Sequence, residues 1–406
     1  MTDGEPITSG SLESDADEPT SSGNRTHVLA AVSGGFGTIA VGLLIMAPLL
    51  PAIIADLAIT PFQAGIGLSV MWGLNALGQY PGGRVSDVTS RKTVLVFGLV
   101  GFVIGFGVVM ASATFVGYLV GIAVLGLCSG VYPATGYTLL SELYAERRGK
   151  AFGIYTAFWD VGGGLSAGFA TAALAAGEWR LAFPPVIGLT IVAAFLIHSW
   201  SDEPHSLSRV RFDVRETIGR VVLGRKSKQL IVAFCLFFLT WQGAVSFLPT
   251  FLQQEKGLSA GTAATAFASL FLVGMVTKPL SGNLGDRFGR LRTAICALTI
   301  GTAGLVALTI AQSTWALLGA VVLFAIGLMS VTPPLLAYVM ATFPDSNAGA
   351  DIGSFRTIYM GIGSLGPAYV GFIADLSTYA VAFGGLLVSL LASTVLVFSV
   401  LSVCDS

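Results

Sequence analysis

The chain has 406 residues, 54% of them hydrophobic and only 11% charged, with a formal net charge of -1. Soluble domains carry roughly 25% charged residues, so this chain cannot coat a globule of its size with polar side chains, and a soluble enzyme is excluded. The apolar surplus also excludes intrinsic disorder outside the N-terminus, and the near-zero net charge offers no basic face for nucleic acid.

Residues 1–27 are polar, with Asp3, Glu5, Glu13, Asp15, Asp17 and Glu18 ahead of the first base, Arg25. They read as a disordered acidic tail without the basic start and short apolar core of a secretory signal. Beyond it lie twelve segments long enough, at about 20 residues each, to cross a hydrocarbon layer about 30 Å thick. Their expected spans are 28–54, 62–84, 93–112, 115–141, 150–175 and 180–200, then 229–252, 259–284, 293–312, 315–342, 349–375 and 378–402. They are about twice the length of a barrel strand and apolar throughout, which favours helices. The fold class expected is an all-α polytopic membrane protein of two six-helix bundles, 28–200 and 229–402, with a short tail at 403–406.

Between the bundles, residues 201–228 are polar and carry seven bases, with Val214, Ile218, Val221 and Val222 at helical spacing. This predicts a cytosolic linker with an amphipathic helix on the membrane surface. If the tail, the linker and the even-to-odd loops share one side, that side holds every base except Arg180 and Lys256 opposite, and Lys278 and Arg356 within spans. The positive-inside rule then puts both termini in the cytosol of a multi-pass plasma-membrane protein. Cys128, Cys235, Cys296 and Cys404 form no CxxC or Cys/His cluster, so neither metal nor cofactor is expected.

The second half repeats the first. Gly83-x-x-x-Asp87 returns as Gly282-x-x-x-Asp286, with Arg91-Lys92 and Arg287-x-x-Arg290 just beyond. Gly126-Leu127-x-Ser129-x-x-x-Pro133-x-x-x-Tyr137 returns as Gly327-Leu328-x-Ser330-x-x-x-Pro334-x-x-x-Tyr338, Leu50-Pro51 as Leu248-Pro249, and Gly153 as Gly353. Six crossings per half is an even number, so the bundles share orientation and are related by a pseudo-twofold axis normal to the membrane.

The segment Gly83 to Lys92, its copy Gly282 to Arg290 with Gly289, and Trp179-Arg180-x-x-Phe183 resemble the major facilitator superfamily of secondary transporters. The resemblance covers nearly the whole chain after residue 27. It implies an alternating-access transporter of a small-molecule solute, coupled to protons or another ion, and a conformational latch formed by Gly83, Asp87, Arg91, Lys92, Gly282, Asp286, Arg287, Gly289 and Arg290. The first copy departs from the family pattern at Val88, where Arg is usual, and at Ser90, where Gly is usual.

Three charged residues lie well inside spans: Asp160 in the fifth, Lys278 in the eighth and Arg356 in the eleventh. Each costs about 2.5–3.5 kcal/mol at a span centre on insertion scales, which points to a central functional site. There Lys278 and Arg356 would attract an anionic group and Asp160 would bind a proton or a substrate cation. The structural alternative is that Asp160 pairs with a base to hold the bundles together and that Arg356 snorkels to the cytosolic edge. A base eight positions before the loop aspartate, partnered by one in the eleventh span, is similar to the oxalate/formate-type antiporters. Asn75, Gln79, Tyr132, Tyr137, Trp159, Gln242, Tyr338 and Tyr359 are candidates for the same cavity.

The sequence thus reads as a monomeric secondary transporter of a small organic solute with a preference for anions, and not as an enzyme. The alternatives are a drug/proton efflux antiporter, favoured by a mainly aromatic cavity, and a non-transporting membrane sensor.

Overall fold

The computed structural model describes residues 22–201, 225–341 and 348–405, and within them the chain is helical, without strands. The first span is α1 (Ser22–Leu44) with α2 (Met46–Asp56). The second to fifth are α3 (Pro61–Val88), α4 (Arg91–Ala111), α5 (Phe115–Leu143) and α6 (Arg148–Ala175). The sixth is a 3₁₀ turn, Trp179–Ala182, with α7 (Phe183–Trp200). The seventh to ninth are α8 (Arg225–Gln254), α9 (Ala260–Phe288) and α10 (Arg290–Ile310). The tenth joins α11 (Thr314–Ser330) to α12 (Thr332–Met340), the eleventh joins α13 (Ala348–Gly363) to α14 (Leu365–Leu376), and the twelfth is α15 (Tyr379–Asp405).

Inside a bilayer every backbone polar group must be satisfied within its own segment, which is why uniformly apolar runs become unbroken helices. Ser and Thr mark the starts. Thr60 and Gln63 form a reciprocal capping box, and the side chains of Ser90, Thr114, Ser259 and Ser313 accept from the backbone N–H three residues on. Three prolines mark the interruptions, while Pro51, Pro81, Pro133, Pro249 and Pro279 lie within continuous helices. Pro48, Pro334 and Pro367 have no N–H to offer the carbonyls of Leu44, Ser330 and Gly363, and α1, α11 and α13 end at those residues.

Ten of the spans are long and apolar enough to cross a membrane on composition alone. The second and fifth, each 28 residues, are more polar because they turn Asn75, Gln79 and Asp160 toward the molecule's interior. Outward faces expose Phe97, Phe195, Ile310, Trp315 and Val388, side chains suited to lipid.

Contacts between helices establish the pseudo-symmetry. In the first half, the first span packs on the fifth and sixth, the second and third on the fourth, and the third on the sixth. The second half repeats this with the seventh on the eleventh and twelfth, the eighth and ninth on the tenth, and the ninth on the twelfth. The halves meet where the first span crosses the seventh, and along two seams, second against eleventh and fifth against eighth, that the pseudo-twofold exchanges.

The structure moves some expected boundaries. Helix α1 reaches back to Ser22, into the expected tail, and α15 runs on to Asp405. Residues 1–21 and the linker residues 202–224, with their expected amphipathic helix, lie outside the described residues. The segment Gly83–Asp87 and its copy Gly282–Asp286 are not loops but the last turns of α3 and α9. Nothing in either stretch lacks a backbone donor, so each helix runs on. The second turn is the single residue Gly289 at φ 101, a backbone state that only glycine enters freely. Serine is disfavoured there, and the first turn instead uses Thr89 in extended geometry at φ -122 followed by Ser90 at φ -55.

Candidate functional site

At mid-depth between the halves lies a cavity of about 540 Å³, within the range of small-molecule sites. Three charged side chains reach its wall, Asp160, Lys278 and Arg356, and they come from both halves. The Lys278 ammonium donates to Asp160 Oδ1 at 2.6 Å, joining the fifth span to the eighth across the seam. Asp160 is 4% exposed and Lys278 31%, so the pair is dry on the carboxylate side and touches cavity solvent through the amine. Phe271, which also lines the cavity, packs over Gly163 one turn from Asp160, where a Cβ would strike the ring.

Arg356 does not snorkel. It shares a hydrogen bond with Tyr137 and lies within electrostatic reach of Tyr155 and Tyr359, while its Nε has no acceptor. Among the described residues it has no carboxylate partner. Lys278 and Asp160 cancel, so among the described residues Arg356 gives the cavity wall one net positive charge.

The duplicated sequence sharpens this picture. Gln79 is 199 positions before Lys278, the offset of the Gly83 and Gly282 pair, and Met360 is 200 after Asp160, the offset of Gly153 and Gly353. In the structure Gln79 Nε2 donates to the Met360 sulfur at 3.3 Å, joining the second span to the eleventh. A neutral contact therefore occupies on one seam the place that an ion pair occupies on the other.

Asn75, Gln79, Tyr137, Trp159, Gln242 and Tyr359 also line the cavity. Asn75 Nδ2 donates to Ser129 Oγ at 2.9 Å, and Gln242 Nε2 to the Met360 carbonyl at 3.3 Å. Tyr132 does not line it. The ring is fully buried between the first and fourth spans, and its hydroxyl donates to the Val32 carbonyl at 2.9 Å. Tyr338 is likewise absent from the wall, packed against the core of the second half. Phe36, Trp72, Phe238 and Trp241 are present and were not expected. They are apolar residues in apolar spans, and only Trp241, beside Gln242, stood next to a polar signal.

The expected latch residues divide. Arg91 pairs with Glu142 at 2.5 Å, Arg290 with Asp286 at 3.5 Å, and Arg290 Nη1 donates to the Ala337 carbonyl at 2.8 Å, each within one half. The Lys92 ammonium donates to the Ser201 carbonyl at 2.7 Å and so caps the end of the sixth span. Gly83 and Gly282 sit on the last turns of α3 and α9, where neither has a crowded Cβ position, and Arg287 is exposed. The side chain of Asp87 lies outside the described residues.

The halves close tightly on the face away from the basic loops. A Cβ on Gly65 would strike the Pro367 carbonyl and one on Gly371 that of Pro61, so the second and eleventh spans touch backbone to backbone there. Toward the basic face the cavity wall continues through Gly153 and Pro333, and Thr156, one turn from Asp160, is exposed.

Comparison with known proteins agrees with this geometry. The sequence profile described as Major Facilitator Superfamily matches residues 31–367 and 230–403. A probable 4-methylmuconolactone transporter of Cupriavidus pinatubonensis is 26% identical over 341 residues, covering 77% of this chain and 78% of that protein. The hexuronate transporter of Bacillus subtilis is 24% identical over 386 residues, covering 87% of each. A bacterial homologue of the human lysosomal transporter Spinster, in an inward-facing and occupied conformation, has the same fold, with a TM-score of 0.75 and 18% identity over 95% of this chain and 96% of that one.

Proposed function

The chain belongs to the major facilitator superfamily, a multi-pass membrane transporter rather than an enzyme, and on that premise we propose that it carries a small organic anion by proton-coupled alternating access. The observation that carries the reading is Arg356, a guanidinium at the seam of the two halves without a carboxylate partner among the described residues, lining the same cavity as the bridging Asp160–Lys278 pair. Two relatives are named for hexuronate and 4-methylmuconolactone, both of which bear a carboxylate, and this supports an acid as solute.

With the basic loops in the cytosol of a plasma-membrane protein, both termini lie inside, the tight closure lies outside, and the cavity faces inward. The latch groups Asp286, Arg290 and Arg91 then bond within their own halves because the cytosolic side stands open. In the opposite state, helix ends bearing Asp87 and Asp286 meet the other half and are held there by charges near helix termini.

The chemistry follows from competition for Lys278. A desolvated ion pair loses most when one partner is removed, so a solute carboxylate reaching Arg356 and Lys278 displaces Asp160 only if Asp160 gains another partner, a proton. Protonated Asp160 no longer ties the fifth span to the eighth, and the halves are free to rock. A monomer contains every element of this cycle, since both seams lie within one chain.

Uptake of a labelled organic acid into proteoliposomes tests the proposal. An imposed pH gradient, acidic on the outside, accelerates uptake, a protonophore removes the acceleration, and Asp160→Asn keeps exchange but loses the drive. An unchanged pH response in that variant ends the coupling reading. Binding with no flux in any direction would make the protein a sensor instead. One observation favours the efflux of lipophilic drugs, the aromatic cavity lining, whereas the positive charge at Arg356 opposes cationic ones. Saturable transport of a lipophilic cation, with organic acids ignored, would establish that second reading.

A further inference from the structure

An aromatic wall leads away from Arg356. Tyr359 lies within electrostatic reach of the guanidinium on the same cavity wall, Phe238 packs on Tyr359 at 4.3 Å between ring centroids, Trp241 on Phe238 at 6.1 Å, and Trp72 of the other half meets Trp241 edge-on at 5.9 Å and 82°. Across the cavity Phe36 and Trp159 form a second wall, their centroids 5.1 Å apart.

Several polar groups between these walls are already engaged, while Gln242 Oε1 has no partner. The amide nitrogens of Asn75, Gln79 and Gln242 donate to Ser129, Met360 sulfur and the Met360 carbonyl, and the Thr156 hydroxyl donates to the Phe152 and Gly153 carbonyls. A polyhydroxylated solute carries more hydroxyls than the groups left over here, Gln242 Oε1 and the spare amide and indole N–H groups, can satisfy on leaving water, which penalises its binding. A ring loses nothing there, because offset and edge-to-face contacts with Trp and Phe replace its hydration. With Lys278 paired to Asp160, Arg356 is the cavity's one cation without a carboxylate among the described residues, and one solute carboxylate balances it.

We propose that the solute is an aromatic monocarboxylate, its carboxylate on Arg356 and its ring along the wall formed by Phe238, Trp241 and Trp72. This assignment rests on the anion-transport reading above and narrows it, setting the protein apart from carriers of sugar acids.

Calorimetric titration of the full chain in lipid nanodiscs with benzoate, glucuronate and benzamide separates the two levels. Benzoate is expected to bind at least about tenfold more tightly than either of the others, a ratio that one well-placed ring contact together with one charge contact can supply. Trp241→Ala should bring benzoate down toward glucuronate without strengthening glucuronate. If that variant unfolds, Phe238→Leu replaces it, and the preference of the unaltered protein decides in either case. Glucuronate binding as tightly as benzoate overturns the ring assignment and leaves the anion reading standing. Benzamide matching benzoate overturns the anion reading, and failure of both acids to bind overturns both.

Discussion

The backbone N–H of Phe62, in the first turn of the second span, donates to Asp375 Oδ2 at 3.2 Å, in the last turn of the eleventh. The rings of Phe62 and Phe372, on the same two spans, meet edge-on at 5.3 Å. A carboxylate of one half thus caps a helix of the other at the face where the halves are closed, with a stabilisation of about 0.3–1 kcal/mol for such an arrangement.

Removing that cap should loosen the closure without harming the fold. Asp375→Ala is expected to raise the fraction of molecules open on this face by up to about fivefold, the ratio that 1 kcal/mol supplies. The labelling rate of a cysteine introduced at Ser69, whose hydroxyl accepts from the Ala368 N–H at 2.9 Å, reports it through an impermeant maleimide. An unchanged rate would reduce Asp375 to a surface carboxylate.

Gly65 carries a stronger version of the same test. Gly65→Val puts a side chain where the Pro367 carbonyl now lies, so the closed face cannot form. The variant should remain folded, bind solute from one side only and lose exchange completely. Normal exchange would show that the spans separate here without consequence.

The Asp160–Lys278 pair predicts a non-additive series. Lys278→Met leaves a carboxylate 4% exposed with no counter-charge and should destabilise by about 2–3 kcal/mol, somewhat less than a fully dry pair because Lys278 touches cavity solvent. Asp160→Asn combined with Lys278→Met should recover most of that loss in a thermal melt while transport stays absent. Additive losses would remove the pair from both stability and mechanism.

Tyr132 supplies a control. Tyr132→Phe breaks the hydroxyl bond to Val32 and should destabilise by about 0.5–1.5 kcal/mol, with solute affinity unchanged. A shift in affinity would return Tyr132 to the binding site.

The twelve spans, the duplication and the three intramembrane charges were all legible in the sequence. Asp160, Lys278 and Arg356 stand out because a charge inside an apolar run is expensive enough to require a reason. Tyr132 reads from the sequence as a cavity residue, yet its buried ring is not part of the cavity wall, because a span that is apolar on every side gives no periodic signal of which face is interior. The same uniformity hid Phe36, Trp72 and Phe238. The Phe62–Asp375 contact joins positions 313 residues apart and follows only from the meeting of the two halves. The breaks after Leu44, Ser330 and Gly363 each stand four residues before a proline, but Pro51, Pro81, Pro133, Pro249 and Pro279 lie inside continuous helices, so proline alone does not tell a break from a tolerated kink.

Duplication usually hands both copies the same chemistry, and here they have parted. Lys278 and Asp160 on one seam answer to Gln79 and Met360 on the other, so a single carboxylate serves the two related positions. Under the proposed coupling, the stoichiometry of the cycle is one proton per turnover. A singly charged acid travelling with that proton moves no net charge, and its flux should be indifferent to membrane voltage.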